Sequence, residues 1–236
     1  MIDTAMLMAA GLGKRMRPLT ATRPKPLVKV AGKPLMDHAL ERLEAGGIRK
    51  VVVNVHYLAD TIEAHLRARR GDTEFLISNE RDRLLETGGG LVKARPLLGE
   101  KPFICANSDN LWIDGPQETL GAMQAVWDPG RMDALLLLVP LARATCHEGP
   151  GDFHMDACGR LTRRKAGHVA PFVFTGVQIM SPALLTDPPS DAFSTNIFWN
   201  RAIGAGRLYG MSHQGLWFDV GTPRAIPIVE AILGHG

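Results

Sequence analysis

The segment at residues 7–30 joins glycines to basic side chains in a pattern suited to binding phosphate. It begins apolar, turns at Gly11 and Gly13, and carries a cluster of cations, namely Lys14, Arg15, Arg17, Arg23 and Lys25. A strand that leads through a glycine turn into a helix presents free backbone N–H groups, which bind anions. Arg15 can make a bidentate contact to phosphate oxygens, and the prolines on both sides of Lys25 restrict its backbone. The segment therefore predicts a binding site for a triphosphate.

Two better-known phosphate-binding loops do not match this segment. The dinucleotide fingerprint G-x-G-x-x-G requires glycine at the position of Met16. The P-loop G-x-x-x-x-G-K-[ST] fails because Lys14 is followed by Arg15. An ordinary glycine turn with solvated basic residues is the remaining alternative, and the concentration of Arg15, Arg17 and Lys25 in one segment argues against it.

Asp109 and Asp219 are the acidic residues placed best for chemistry. Asp109 follows a predicted strand at residues 102–106, and Asp219 lies in or at the end of a predicted strand at residues 217–220. Ligands bind outside the carboxyl ends of parallel strands. Since parallel strands of one sheet bring these ends to the same edge, we expect the two carboxylates to converge. An Asx turn or a helix cap is the structural alternative for Asp109.

Alternating strands and helices must position these residues. Strands are predicted at residues 5–9, 51–55, 75–77, 102–106 and 134–139, and helices at 35–45, 59–70, 117–126, 194–205, from 91 and from 222. Residues 86–90 are expected to form a glycine loop that a flat ring can approach closely. The alternation predicts a doubly wound α/β fold with a mainly parallel sheet. Hairpins within residues 149–179 predict a small antiparallel subregion over the open edge of that sheet.

Length and composition exclude several classes of protein. A chain of 236 residues fits one domain, and it has no apolar run of the roughly 20 residues that a membrane span needs. Residues 5–12 do not predict a signal peptide, because Asp3 precedes them without a basic leader. Three cysteines without a C-x-x-C pair argue against a disulfide framework or structural zinc and indicate a reducing cytoplasm. The net charge of +3 suits small anionic substrates and gives no indication of nucleic acid binding.

The run AAGLGKRMRPLT, followed by RPKPLVKVAGKPLM, resembles the signature of sugar-1-phosphate nucleotidyltransferases. Within that family, ETGGG at residues 86–90 and WFDVGT at residues 217–222 look most like the short N-acetylmuramate-1-phosphate uridylyltransferases. The resemblance covers nearly the whole chain and implies a Rossmann-like nucleotidyltransferase fold. It also implies a Mg²⁺-dependent transfer of a nucleotidyl group from a nucleoside triphosphate, here UTP, to a sugar 1-phosphate, here N-acetylmuramic acid 1-phosphate.

The resemblance further implies roles for individual residues. Arg15 would hold the departing pyrophosphate, Lys25 would contact the α-phosphoryl oxygens, and Asp109 and Asp219 would hold Mg²⁺. Contacts to the nucleotide are expected from Ala9, Ala10, Gly11, Gly13 and Gly88, and contacts to the sugar phosphate from Asn107, Gly151 and Lys165. Residues 1 to about 115 would form the nucleotide half of the single domain, and residues from about 116 to 236 the sugar half.

The chain departs from the family pattern at two places. Ser108 stands where the pattern has glycine, next to Asp109. Residues 162–166 retain only the lysine of a family Glu-Lys-Pro motif, so a solvated basic turn at residues 163–165 is an equal alternative to a phosphate contact by Lys165. The histidines at positions 147, 154 and 168 lack metal-ligand spacing and are expected at the surface or in loops.

Two alternatives remain at the level of function. A glucose- or mannose-1-phosphate enzyme that uses UTP, dTTP or GTP would keep the chemistry and change the substrate. A catalytically silent homologue that senses nucleotide sugars or serves as a subunit would belong to another class, and the intact set of Arg15, Lys25, Asp109 and Asp219 speaks against it. The sequence leaves the oligomeric state open.

Overall fold

A computed structural model describes residues 1–234 of the chain. Its strands are β1 (Thr4–Met8), β2 (Lys29–Val30), β3 (Lys33–Pro34), β4 (Lys50–Val55), β5 (Glu74–Asn79), β6 (Phe103–Asn107), β7 (Asn110–Ile113), β8 (Ala134–Pro140), β9 (Phe153–Met155), β10 (Leu161–Arg163), β11 (Phe172–Met180), β12 (Leu208–Ser212) and β13 (Leu216–Asp219). The helices are α1 (Leu35–Ala45), α2 (Ala59–Ala68), α3 (Glu86–Leu98), α4 (Thr119–Val126), α5 (Asn196–Gly204) and α6 (Ala225–Leu233). Across these described residues, no helix has both the length and the apolar composition needed to cross a membrane.

One sheet of nine strands forms the centre of the molecule. β5, β4, β1 and β6 are neighbours in that order and pair in parallel. β11 lies antiparallel between β6 and β8, and β12 pairs in parallel with β8. Because β11 is antiparallel to both of its neighbours, β8 and β12 run the same way as β6. The expected mainly parallel α/β sheet is therefore confirmed, with β11 as a reversed strand near its middle.

The expected position of the antiparallel subregion is wrong. β9 and β10 form a hairpin, but it pairs with β11 inside the same sheet and does not lie over an open edge. The cause is β11 itself, a run of nine residues that is mostly buried and pairs with strands on both sides. Its register with β8 shifts between Phe174 and Gln178. The part of β11 before the shift pairs with the hairpin, and the part after it pairs with β6.

Helices cover both faces of the sheet, and the strands alternate their side chains between the two layers. On one face Leu7 and Val53 pack with α1, α2 and α4, as represented by Leu40, Ile62 and Leu120. On the other face Met6 and Val52 pack with α3 and α5, as represented by Leu91 and Phe198. This double cover explains why the central strands read as nearly continuous apolar runs.

Helix α3 begins at Glu86, so the expected loop at residues 86–90 with a helix start at Leu91 is wrong. The amides of Gly88 and Gly89 donate to the carbonyl oxygen of Phe193 at 2.8 and 3.2 Å. A Cβ atom on Gly88 would lie 2.5 Å from Cε2 of the Phe193 ring. The flat ring that approaches this glycine is therefore a side chain of the protein, and burial against it overrides the low helix propensity of glycine.

We expect Gly88→Ala to destabilise the protein, because the new methyl group would overlap both the ring and the carbonyl oxygen of Phe193. Overpacking of this kind costs about 1–3 kcal/mol, which corresponds to a drop in melting temperature of several degrees. Gly204→Ala is the matched control, because it is also a helical glycine and its added Cβ would meet no atom within 4 Å. Thermal unfolding measures both variants, and equal melting temperatures for the two would contradict this packing.

Candidate active site

A cleft of about 380 Å³ opens at the carboxyl ends of β1 and β6. β1 and β6 are parallel neighbours, so the segments that follow them leave the same edge of the sheet, and a crevice forms between these segments. Six residues expected to bind substrates or metal line this cleft, namely Ala9, Ala10, Gly11, Lys25, Asn107 and Asp109. The structure therefore brings these six predicted residues together in one place.

The glycine turn places an open backbone next to a closely packed one. A Cβ atom on Gly11 would meet nothing within 4 Å, so this part of the loop has room for a ligand. Gly13 adopts φ +60°, and a Cβ atom there would lie 2.9 Å from Cβ of Lys25 and 3.0 Å from Cγ2 of Thr20. The hydroxyl of Thr20 also donates to the Gly13 carbonyl at 2.8 Å. Gly13 thus lets the loop pack against the backbone that carries Lys25.

Lys25 points its ammonium at Asp109, with Nζ 2.5 Å from Oδ2. It begins a short 3-10 helix at Lys25–Leu27 after Pro24, and its side chain is only 10% exposed. Asp109 is 32% exposed and follows β6 by two residues. Because each group neutralises the other in a partly buried place, the pair keeps one cation and one anion together at the cleft.

Asp219 reaches the same region by a route that the sequence did not predict. β13 pairs with β7 in a separate antiparallel sheet, and Asp219 stands opposite Asn110, the residue after Asp109. Asp219 is thus placed opposite the residue that follows Asp109, by antiparallel pairing and not by the expected parallel strands of one sheet. The cause is β7, whose first residue, Asn110, follows a short polar stretch typical of a turn.

The small β7–β13 sheet is attached to the large sheet at one buried carbonyl. Nδ2 of Asn110 donates to the Thr175 carbonyl at 2.7 Å, and Nε1 of Trp217 donates to the same oxygen at 2.9 Å. Thr175 lies in β11, at the register shift. A Cβ atom on the next residue, Gly176, would lie 2.2 Å from Nδ2 of Asn110. The shift in β11 thus makes room for both donors.

Arg15 and Asp219 meet at Gly221. A Cβ atom on Gly221 would lie 3.0 Å from Oδ1 of Asp219 and 3.1 Å from Nη1 of Arg15. Arg15 is exposed to solvent, in a 3-10 helix at Lys14–Met16. Of the four expected catalytic residues, Lys25 and Asp109 therefore form an ion pair, while Arg15 and Asp219 both lie next to Gly221.

His147, which is expected at the surface or in a loop, lies in a loop beside Asp219. Its Nδ1 lies 3.5 Å from Oδ2 of Asp219, its ring is 18% exposed, and its buried Nε2 has no hydrogen-bond partner among residues 1–234. A bridge between Thr145 and Phe218 brings this segment beside β13. The contact of His147 with Asp219 joins residues far apart in the chain, and no periodicity in the sequence predicts such a contact.

Neither of the two inner cysteines is set up as a nucleophile. Burial raises the pKa of the Cys105 thiol to about 12. Burial and then the nearby Asp219 carboxylate raise the pKa of the Cys146 thiol. Since the thiolate is the reactive form, both groups are protonated at neutral pH.

Six of the residues expected to contact ligands or metal lie outside the cleft lining, namely Gly13, Arg15, Gly88, Gly151, Lys165 and Asp219. Gly88 is buried with its amide bonded to Phe193, and Gly151 adopts φ +80° with its Cα packed against the Ala170 carbonyl. Lys165 is exposed in a turn closed by a hydrogen bond from the His168 amide to its carbonyl at 3.1 Å.

The alternative of a solvated basic turn at residues 163–165 holds only in part. The Arg163 guanidinium lies 5.0 Å from the Phe153 ring centre and 5.2 Å from that of Trp199, and it donates to Oδ1 of Asn196 at 2.8 Å. Burial lowers its pKa. The structure thus makes Arg163 a packed side chain that joins β10 to α5.

The donor set of the cleft fits a hard cation that retains water. Among the residues described, no cluster of three or more His, Cys, Asp or Glu side chains could hold a metal. Mg²⁺ commonly takes one or two carboxylates and completes its shell with substrate phosphates and water. Asp109 and Asp219 supply that number.

The cleft lining also contains residues that were not among the expected site residues, namely Met8, Pro26, Asn54, Leu84, Glu86, Thr87, Ser108 and Ser194. Ser108, at the departure from the family pattern, donates its hydroxyl to the Met8 carbonyl at 2.7 Å and is buried. Asn54 interrupts the apolar run of β4 near the carboxyl end of the strand. That polar residue in an apolar strand is the one feature of the sequence that could have predicted Asn54 as a cleft residue.

Comparison with known proteins agrees with the fold and the cleft described above. The family described as Nucleotidyl transferase matches residues 4–145. The N-acetylmuramate alpha-1-phosphate uridylyltransferase of Caulobacter vibrioides is 46% identical over 234 residues, which covers 98% of this chain and 97% of the relative. The protein of the same name from Neisseria meningitidis is 36% identical, with 98% of each chain covered.

A solved structure of UDP-glucose pyrophosphorylase in complex with UDP-glucose matches the fold. Its TM-score is 0.81 at 15% identity, over 100% of this chain and 99% of the other. This likeness supports the expected Rossmann-like nucleotidyltransferase architecture. With the family match over residues 4–145 and the near full-length relatives, it leads to one conclusion: the chain belongs to the nucleotidyl transferase family.

Proposed function

We propose that this protein transfers a uridylyl group from UTP to N-acetylmuramic acid 1-phosphate and releases pyrophosphate. The observation that carries the reaction type is the Lys25–Asp109 pair at 2.5 Å, set beside the open backbone at Gly11 and within the same cleft. The choice of substrates is supported by the names of the two relatives that match nearly the full chain. Free cysteines throughout the described chain suit a reducing cytoplasm as the place of the reaction.

In the proposed reaction a phosphate oxygen of the sugar 1-phosphate attacks the α-phosphorus of UTP. A new bond from that oxygen to the α-phosphorus forms, and the bond from the α-phosphorus to the oxygen of the β-phosphate breaks, so that pyrophosphate carries away the electron pair. A phosphate dianion needs no general base. The barrier comes from repulsion between two anions and from charge that grows on the leaving oxygen, so positioning and positive charge supply the catalysis.

The charged residues of the cleft match these needs. Lys25 meets the charge that develops on the α-phosphoryl oxygens, and Arg15 holds the departing pyrophosphate with its bidentate guanidinium. Asp109 and Asp219 are the residues that would hold Mg²⁺, which when bound neutralises phosphate charge. When a substrate phosphate arrives, Lys25 exchanges part of its contact with Asp109 for the phosphoryl oxygens.

The nucleotide and the sugar phosphate are assigned to two sides of the cleft. The nucleotide half, residues 1 to about 115, binds the triphosphate through the backbone at Ala9, Ala10 and Gly11. Gly13 and Gly88 support that half through their packing. The sugar half, residues from about 116 to 236, approaches Asn107, with Gly151 and Lys165 as more distant candidates for sugar-phosphate contacts.

Two alternatives are kept as outcomes of one experiment. A glucose- or mannose-1-phosphate nucleotidyltransferase would use the same four charged residues with another sugar and another base. A non-catalytic binding protein would turn over no pair of substrates. The oligomeric state is open under each alternative.

We expect UTP with N-acetylmuramic acid 1-phosphate to give the highest kcat/KM in a matrix of four nucleoside triphosphates against several sugar 1-phosphates. Release of pyrophosphate in the presence of Mg²⁺ measures the rate. A preference of more than about tenfold for GTP or ATP, equivalent to about 1.4 kcal/mol, would overturn the nucleotide assignment. Absence of turnover with every pair would favour the non-catalytic alternative.

Lys25→Ala should lower kcat by about 100-fold or more, with a smaller change in the KM for the triphosphate, because the ammonium acts on charge that develops in the transition state. Lys101→Ala is the matched control, since Lys101 is exposed just before the start of β6, at the end opposite the cleft. Steady-state kinetics with both substrates varied separates kcat from KM. A change in KM alone would make Lys25 a residue for ground-state binding.

Asp109→Asn and Asp219→Asn should each remove most of the activity and raise the Mg²⁺ concentration needed for half-maximal rate. The losses should be non-additive in the double variant, because both carboxylates act on one ion. Asp133→Asn, which breaks a surface pair with Arg207 at 2.8 Å, is the control and should leave the Mg²⁺ dependence unchanged. Near-normal turnover of Asp219→Asn at low Mg²⁺ would show that Asp219 has a structural role.

A further inference from the structure

Glu80 is a carboxylate in the interior that none of the roles above uses. It follows β5 and is fully buried, with 0% exposure. It forms no ion pair with any basic side chain in the described part of the chain. A buried charge without a counter-charge is costly unless hydrogen bonds satisfy it. Its two oxygens must therefore find donors, and those donors indicate what it does.

A continuous series of hydrogen bonds passes through Glu80. Oε1 accepts from Nδ2 of Asn54 at 2.7 Å, and Oε2 accepts from the amide of Leu85 at 3.2 Å. On the other side, Oδ1 of Asn54 accepts from the amide of Ala9 at 2.7 Å. The series thus runs from the backbone of Ala9 through two buried side chains to the backbone of Leu85.

Both ends of this series lie at walls of the cleft. Ala9 belongs to the phosphate loop at residues 9–11, and Asn54 itself lines the cleft. Leu85 lies between Leu84 and Glu86, which also line the cleft. These three hydrogen bonds therefore link the phosphate loop to the segment at residues 84–87.

The third glycine of the ETGGG run makes room for the series. A Cβ atom on Gly90 would lie 2.8 Å from Oε1 of Glu80 and 3.0 Å from Nδ2 of Asn54. Any side chain at this position would press on both partners at once. The motif therefore contains a space for a polar pair as well as the space for Phe193.

We propose that Glu80 and Asn54 are positioning residues that set the spacing of the two cleft walls for a nucleoside triphosphate. The inference rests on the proposed function, because it assigns the wall at residues 84–87 to the same ligand as the phosphate loop. Neither residue touches the reacting atoms in this role; each acts through the backbone of Ala9 or Leu85.

The polarity of the series makes the proposal testable. Both terminal groups, the amides of Ala9 and Leu85, are donors. The two side chains between them must offer an acceptor at each end and pair with each other, which requires one carboxylate and one amide. The natural pair of Asn54 and Glu80 is one solution. The double substitution N54D/E80Q is the other, because it exchanges the amide and the carboxylate between the two positions.

Each single substitution breaks the series. Glu80→Gln leaves two amides, so that an NH₂ group faces another donor at one of the junctions. Asn54→Asp leaves two carboxylates facing each other in a buried place, where like charges repel strongly. Only the two substitutions together restore a donor opposite every acceptor.

The experiment compares the full-length wild type with Glu80→Gln, Asn54→Asp and the double variant, using calorimetric titration with UTP and steady-state kinetics. Glu80→Gln should raise the Kd for UTP by about tenfold or more, with the KM for the sugar 1-phosphate changed by less than about twofold. The double variant should return the Kd to within about fivefold of wild type, because all three hydrogen bonds are restored.

Gln178→Leu is the control for stability alone. Gln178 is also buried, accepts from Nε1 of Trp199 at 2.8 Å, and does not line the cleft. Its substitution should lower the melting temperature and leave the Kd for UTP unchanged, which separates a positioning role from general destabilisation.

Two results would overturn the inference: an unchanged Kd in Glu80→Gln, or a double variant that binds UTP no better than the weaker single variant or does not fold. If a single variant does not fold, the Kd of the double variant decides. Failure of the proposed function is a different result, in which the wild type itself neither binds nor turns over UTP.

Discussion

The pairing of β1 with β4 on one side and with β6 on the other is the constraint on which the site depends. It forces the chain after β1 and the chain after β6 to diverge above the same edge of the sheet. The phosphate loop follows β1, Asp109 follows β6, and Asn54 lies near the end of β4. Three separate stretches of sequence thus reach one crevice because of a single strand order.

Electrostatics then determines what the crevice can bind. Lys25 and Asp109 form an ion pair in the cleft, so these two side chains balance each other's charge. In the proposed function, a triphosphate with its counter-cation replaces this pairing without leaving either charge alone. This exchange costs less free energy than a partly buried site that holds only cations, because desolvation and repulsion between like charges would both destabilise such a site.

The sequence predicts what depends on local pattern and misses what depends on distant contacts. The predicted bounds of helix α1 match the observed ones, since its apolar spacing and the glycines after it act within a few residues. The glycines at residues 88–90 predict a loop because propensity disfavours them in a helix, whereas Phe193, far along the chain, holds them in α3. The antiparallel partner of Asp219 and the position of His147 also depend on contacts across more than seventy residues, which no periodicity records.

The buried carbonyl of Thr175 has a consequence for the energetics of ion binding. It holds Asn110 and Trp217, one residue of each strand in the small sheet that carries Asp109 and Asp219 to the cleft. Because that oxygen belongs to a strand in the middle of the large sheet, the small sheet has little freedom to shift. The two carboxylates consequently keep their relative placement before any ion arrives. In the proposed function, carboxylates placed in this way would hold Mg²⁺ with a low reorganisation energy, so more of the intrinsic attraction for the cation would be available as binding free energy.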